Sequence, residues 1–561
     1  MAGKFVVCIF LLGVISFTYR RLLSYLRYFQ QEEYHEARFK GWLNEKKAYD
    51  TRGAAVALVV AGSAVVWIHP AWTIISGIVG ACALYWITHI IEGDPRTSGK
   101  LTLKMTQRAS KIFYLSGFFA LLVILGIAVL GVLASPCCPS LCVPSSGLPV
   151  TPQGWKSLVV VALASTLLFR CTPFLLILAN KVLSPAEKRL QNFYVDDAKR
   201  ILREVNPFII GITGSYGKTG AKAALGELLP QCVGPTFWPK KSINTVMGIT
   251  RDIRENLRTH HKFAVIEMGA YGIGSIQRLC GLTPPKAAIV TAVGIMHLER
   301  FGSEENVFIA KSELAQAVPE DGILVCNGDN PGARRMAEAN RKSTTLLYGL
   351  DPTSGPLDCC ATEILFTSEG TKCVVQWKGE AFHVQTPLLG RPALSNALAA
   401  FTMACALGAS PAYAAAALGN LQPVDNRLVL DRKGSVSFIR DAYNSNPTGF
   451  SAALEILHTI EGKRKILLTP GMVELGDRQY KENELIAEKA AKVCDLIVVI
   501  SPVNRDALLS GLTKAEYPKE RTIVVETRAQ AFTYLTQHQI PGDLVLIEND
   551  LGDLLEGEVK F

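Results

Sequence analysis

Apolar residues change their rhythm part-way along the 561-residue chain. In the first third they gather in long runs, at positions 5–18, 54–67, 72–91, 112–133 and 158–178. The last three runs are long enough to cross a bilayer, and the first two need their flanks to do so. From Pro207 onward the runs shorten to strand length, at 207–210, 263–267, 287–291, 465–468, 496–500, 522–525 and 544–547, with helically patterned segments between them. Strands alternating with helices predict parallel sheets of an α/β protein, the last four runs forming a Rossmann-like sheet. Alternating residues at 363–386, around Lys378-Gly379, predict hairpins at the edge of the central domain. The expected organisation is a membrane domain of about five helices over 1–180, a central domain over 181–422 and a last domain over 423–561.

Charge sharpens this division. The apolar share of 49% and mean hydropathy of +0.23 are high for a soluble enzyme, and the excess lies in the long runs. Residues 1–180 carry 16 Lys and Arg against 7 Asp and Glu, so the whole net charge of +9 sits there and the rest is balanced. That argues against a nucleic-acid-binding enzyme domain and for a basic membrane segment facing an anionic leaflet. Eight Lys/Arg between Arg20 and Arg52 and five between Glu92 and Lys111 mark inside segments, whereas residues 134–154 have none. Five spans then put the N-terminus outside and everything after Asn180 in the cytoplasm. The first run reads as an anchor rather than a signal peptide, because Arg20 and Arg21 follow it and no small-residue cleavage site appears. No Asp, Glu or Lys interrupts the middle of a run, which favours an anchor or a platform for a lipid-soluble substrate over a transporter. The 14 cysteines are scattered except for Cys137, Cys138 and Cys142, in a Pro-rich loop without histidine. Zinc is disfavoured there, and a disulfide requires an oxidising compartment.

The candidate chemistry begins after the first short run. Gly211-Ile-Thr-Gly-Ser-Tyr-Gly-Lys-Thr219 sits between strand and helix, the context of a phosphate cradle. Thr213, Gly214, Ser215, Tyr216 and Gly217 would supply backbone N–H groups, Lys218 would reach the terminal phosphates of ATP, and Thr219 would meet Mg²⁺. Ile212 stands where a full Walker A motif has its first glycine. Glu267 ends the 263–267 run, where a strand-end carboxylate beside a phosphate loop is the expected second anchor for Mg²⁺. His297, taken alone, reads first as a structural histidine.

The order of further motifs changes that. Ser242-Ile-Asn-Thr-Val-Met-Gly248, Glu267-Met-Gly269, His297-Leu-Glu-Arg-Phe-Gly-Ser303 with Ala310-Lys311, Asn396-Ala-Leu-Ala-Ala400, Arg427, Asp441-Ala-Tyr-Asn-Ser-Asn-Pro447 and Gly471-Met-Val-Glu-Leu-Gly476 follow the phosphate loop. From about residue 205 the chain resembles the Mur ligases, and within them the MurF branch, which adds D-alanyl-D-alanine to a UDP-linked muramoyl tripeptide. The resemblance implies an ATP-dependent carbon–nitrogen ligase of cell-wall precursor synthesis. Lys218 would hold phosphate, Thr219 and Glu267 one Mg²⁺, and His297 a second metal. Lys311 matches a lysine that is carbamylated in some members. Asn396 would face adenine, and Arg427 and Asp441 would close on the nucleotide from the last domain. ATP would phosphorylate a carboxylate, and an amine would attack the acyl phosphate.

Three departures stand beside the likeness. Pro392-Ala393 replaces a usual His-Asn, Ala292 a common asparagine, and Gly220 a common threonine. The membrane segment also occupies the place of the domain that binds the UDP sugar, leaving open whether the muramoyl peptide is UDP- or lipid-linked. A membrane-bound ligase making another amide polymer such as poly-γ-glutamate, and a non-catalytic membrane scaffold with a relic nucleotide fold, remain as alternatives.

Overall fold

The computed structural model describes residues 2–66, 70–97, 102–134, 154–294, 301–340, 342–442 and 445–550. His297, Tyr443 and the cysteines at 137, 138 and 142 lie outside the described residues. The chain forms two compact units that part between Leu190 and Gln191. The boundary expected at residue 180 falls inside one continuous helix, which runs on through Pro173 and Pro185.

The first unit is helical: α1 (Ala2–Gln31), α2 (Glu36–Glu45), α3 (Arg52–Val66), α4 (Pro70–Trp86), α5 (Gln107–Leu133) and α6 (Gly154–Val205). A π-helical turn, Ile87–Ile91, continues α4. Among the described residues four helical stretches are long and apolar enough to cross a membrane: Phe5–Gln31, Ala71–Ile91, Gln107–Leu133 and Trp155–Val205. Five runs were expected, and the difference is α3. Its 15 residues rise only about 22 Å, short of a hydrocarbon core of about 30 Å. Helices α1 and α4 pack through small residues, a Cβ on Gly13 falling 2.7 Å from the Ala81 Cα. Below this seam Arg21, wholly buried, is held by Asp50 at 2.5 Å and Glu92 at 2.8 Å, and Arg52 also meets Glu92 at 3.2 Å. A buried guanidinium is tolerable only with such partners.

The second unit contains two sheets. The nine-stranded sheet has the order β2-β3-β1-β4-β5-β6-β7-β8-β9. Its strands are β1 (Phe208–Thr213), β2 (Thr236–Phe237), β3 (Phe263–Glu267), β4 (Ala287–Val290), β5 (Ile323–Asn327), β6 (Thr344–Gly349), β7 (Cys359–Thr367), β8 (Gly370–Trp377) and β9 (Glu380–Thr386). Pairing is parallel as far as β7 and antiparallel across β7-β8-β9, where the hairpins were expected. Ile210 and Ile212 of β1 enter one core with the Lys218–Cys232 and Arg391–Ala406 helices, while Ile209 enters the other with Ala264, Ile266 and Val290. Burial on both faces explains why these strands read as unbroken apolar runs.

The six-stranded sheet has the order β10-β11-β15-β12-β13-β14. Here β10 is Val429–Lys433, β11 Val436–Asp441, β12 Arg464–Thr469, β13 Leu496–Ile500, β14 Thr522–Val525 and β15 Asp543–Glu548. All pairs are parallel except β10-β11. Phe366 and Leu389 of the preceding region join the core of this sheet with Ile439, Phe450 and Leu467. An Arg478–Glu304 ion pair of 3.2 Å adds a second tie.

Candidate functional site

Strand β1 lies between β3 and β4, so chain connections leave it in opposite directions, and the crevice beyond its C-terminal end is where an open α/β sheet takes ligands. The phosphate loop fills that position. It is clamped from both sides: Thr213 Oγ1 donates to the Met268 carbonyl at 3.0 Å, and the Ser215 N–H donates to the Ala292 carbonyl at 2.7 Å. Ser215 Oγ also donates to the Gly294 carbonyl and accepts from the Gly294 N–H, at 3.0 and 2.9 Å. Thr291 Oγ1 donates to the Tyr216 carbonyl at 2.5 Å. A Cβ on Gly214 would lie 2.0 Å from Thr291 Oγ1, so only glycine fits under the clamp. Gly217, at φ 84°, turns the chain into the Lys218–Cys232 helix.

The structure brings most of the expected residues together. Lys218 Nζ donates to the carbonyls of Gly214 at 2.6 Å and Ser215 at 3.3 Å. Burial pulls its ammonium below the usual lysine range, with Glu267 opposing and Arg427 adding to the shift. Thr219 Oγ1 lies 3.2 and 3.1 Å from the two oxygens of Glu267. This hydroxyl and carboxylate are the hard oxygen donors that Mg²⁺ takes alongside water and phosphate. The buried Lys311, on the Glu304–Ala317 helix, is pushed well below the usual lysine value by burial and by Lys218. Asn396 packs its amide over the first turn of the phosphate-loop helix: a Cβ on Gly217 or Gly220 would fall 2.7 or 2.3 Å from its Oδ1 or Nδ2. Gly220, a departure from the pattern, thus leaves room for Asn396.

Arg427 and Asp441 come from the region of the last sheet. Arg427 lies within electrostatic reach of Lys218 and of Asp441, and the Leu428 N–H bonds the Asp441 carboxylate. Leu428 holds φ 51°, a left-handed conformation costly for a bulky side chain. Burial drives the Asp441 carboxyl up to about 7, against Arg427 and that N–H.

Sequence reasoning assigned no role to four groups that the fold adds. Lys222, one turn beyond Lys218, is wholly buried and reaches Glu267 at 3.0 Å, although in the sequence it resembles any helix-surface lysine. Ser242 Oγ lies 3.4 Å from Thr219 Oγ1, and Asn244 Nδ2 donates to Glu267 at 3.3 Å. These two belonged to a motif already singled out. Glu548 is the register partner of Asp441 across β11 and β15, is 1% exposed, and accepts from Ser445 Oγ at 2.6 Å. Burial and the neighbouring Asp441 push its carboxyl well above the usual range.

Comparison with known proteins decides what this arrangement is. The profile of the Mur ligase middle domain matches residues 212–404, and that of the Mur ligase glutamate ligase domain matches 426–548. The UDP-N-acetylmuramoyl-tripeptide–D-alanyl-D-alanine ligase of Mycobacterium bovis is 32% identical over 61% of this chain and 70% of its own length. The chain belongs to the Mur ligase family. The Bacillus subtilis ligase of the same name is 28% identical over 65% of this chain and 77% of its own. MurF of Acinetobacter baumannii superposes with a TM-score of 0.57 at 26% identity, covering 64% of this chain and 77% of MurF. MurF ligase of Thermotoga maritima, solved with ADP, gives 0.56 at 26% identity over 64% and 80%. As a Mur ligase with MurF relatives, the protein is an ATP-dependent carbon–nitrogen ligase of peptidoglycan precursor synthesis.

Proposed function

We propose that the chain is a membrane-held, MurF-like ligase that joins a peptidyl carboxylate, carried on a UDP- or lipid-linked muramoyl peptide, to an amine such as D-alanyl-D-alanine. The observation that carries this reading is the convergence of the clamped phosphate loop with Thr219–Glu267 on one side and Arg427–Asp441, from the last sheet, on the other. The loop amides and Lys218 bind the ATP phosphates and offset charge as the terminal phosphoryl group passes to the carboxylate. Thr219 and Glu267 would hold one Mg²⁺ and His297 a second metal, which would supply positive charge against the developing phosphate charge. Burial shifts Lys311 toward its neutral form, which suits it to carbamylation, because the free amine is the form that takes up CO₂. Asn396 lies along the nucleotide side of the loop. Closure of the last domain through Arg427 and Asp441 keeps water from the acyl phosphate, and the amine attacks with release of phosphate.

In this reading the helices of the first unit hold the enzyme in the cell membrane, with the ligase part in the cytoplasm where ATP is. Supporting this, α5 exposes Leu121, Leu122, Leu125, Val129, Leu130 and Leu133, each 46–72% accessible, a surface suited to lipid. The test is phosphate release by the purified full-length protein in detergent with ATP, D-alanyl-D-alanine and either UDP- or lipid-linked muramoyl tripeptide. The reading requires release that depends on both acceptors together. No release with any carboxylate refutes it, and release confined to the lipid-linked peptide identifies the carrier.

A further inference from the structure

Glu267 occupies an unusual position for a side chain that takes a divalent cation, because it already has a cation of its own. The Lys222 ammonium sits 3.0 Å from Glu267 Oε2, and the two side chains are 0% and 1% exposed. The same ammonium donates to the Lys241 carbonyl at 2.5 Å. Lys241 precedes Ser242 and Asn244, whose side chains reach Thr219 and Glu267. One amino group therefore ties together the phosphate-loop helix, the end of β3 and the 241–244 segment.

We infer that Lys222 is a positioning residue for the divalent cation that accompanies the nucleotide. It keeps both Glu267 oxygens turned toward Thr219 and fixes the Ser242–Asn244 segment around them. A buried carboxylate without a partner rotates toward water, and it is then lost as an aimed ligand. Lys222 prevents this without occupying Thr219 Oγ1, which stays 3.1 and 3.2 Å from the carboxylate. Residues that orient a metal ligand without touching the metal typically change its affinity by about 10- to 100-fold when replaced. The phosphate contacts of the loop amides and Lys218 do not pass through Lys222, so binding of the metal-free nucleotide depends on it little.

This inference rests on the ligase reading, and the experiment separates the two. Full-length protein in detergent is titrated with ADP by calorimetry, once with Mg²⁺ and once with EDTA, for wild type and Lys222→Met. The variant should lose about tenfold or more in ADP affinity with Mg²⁺ while its affinity in EDTA stays within about twofold. Equal losses under both conditions, or no loss in a folded variant, overturn the inference. Should Lys222→Met fail to fold, the same titrations on Lys222→Gln, which keeps hydrogen-bond donors but no charge, decide by the same criterion. Wild-type protein that binds ADP no better with Mg²⁺ than with EDTA overturns the ligase reading and the inference together.

Discussion

Glu548→Gln should stabilise the protein, and by an amount that grows with pH. Glu548 is enclosed at the end of β15 beside Asp441, with one oxygen accepting from Ser445 and the other without a hydrogen-bond partner among the described residues. Its carboxyl and that of Asp441 are both raised, so the folded chain retains protons that the unfolded chain releases near the ordinary values of 4.5 and 3.8. Unfolding therefore loses protons, and stability falls as pH rises from the unfolded value to the folded one. The slope is about 1.4 kcal/mol per pH unit for each such group. For Asp441, raised from 3.8 to about 7, the full loss is about 4 kcal/mol. Glutamine keeps the shape of the protonated acid and the acceptor for Ser445 but has no proton to lose. The advantage of Glu548→Gln should be under about 1 kcal/mol at pH 5 and grow by about 1–3 kcal/mol by pH 7. At about 2–4 °C per kcal/mol, the gap in melting temperature widens by roughly 2–12 °C. Thermal unfolding of both proteins in detergent across that range reads the gap directly. A gap that stays constant, or narrows as pH rises, would refute the buried proton-holding pair.

The remaining predictions concern the nucleotide site. Lys218→Ala should lower kcat by about 10²–10³-fold with little change in melting temperature, as expected for a group that meets charge in the transition state; unchanged turnover would remove Lys218 from the mechanism. Gly214→Ala puts a methyl group 2.0 Å from Thr291 Oγ1 and 3.0 Å from the Ala292 nitrogen, so ADP binding measured by calorimetry should be lost while the far-UV spectrum is kept. Isotope-labelled bicarbonate should give a carbamate carbonyl signal in wild-type protein that disappears in Lys311→Arg, and an identical signal in both proteins would place the modification elsewhere.

How much of this was legible in the sequence depended on whether chemistry followed the chain or crossed it. The phosphate loop is one contiguous stretch, so strand, glycine turn and helix could be read in order, and Glu267 was marked by its place at the end of an apolar run. Long runs likewise showed where helices would lie, yet not that α6 continues to Val205. What escaped was pairing across elements. Nothing local distinguishes Lys222 from a solvated lysine until β3 brings Glu267 to it. Glu548 gained its environment only from the register that sets it opposite Asp441, more than a hundred residues earlier. Gly220 looked like a defect because the residue that needs its space, Asn396, is remote in the chain.

The portions left unmatched bear on the carboxylate substrate. The alignment with the B. subtilis ligase leaves out about a third of this chain and about a quarter of that enzyme. The matched profiles begin at Ile212, within β1, and account for the phosphate loop, Glu267, Lys311, Arg427 and Asp441. Activation of a carboxylate by ATP is thus served by the shared part, and we propose that recognition of what carries the carboxylate falls to the parts that differ. In this chain the differing part is the helical unit, whose basic segments and exposed apolar faces suit an anionic, lipid-anchored carrier better than a freely soluble one. On this argument the preference for a lipid-linked muramoyl peptide should appear as a lower KM at similar kcat, since the helices would add binding energy without touching the reacting atoms. Equal KM for the UDP- and lipid-linked peptides would assign the helices to anchoring alone.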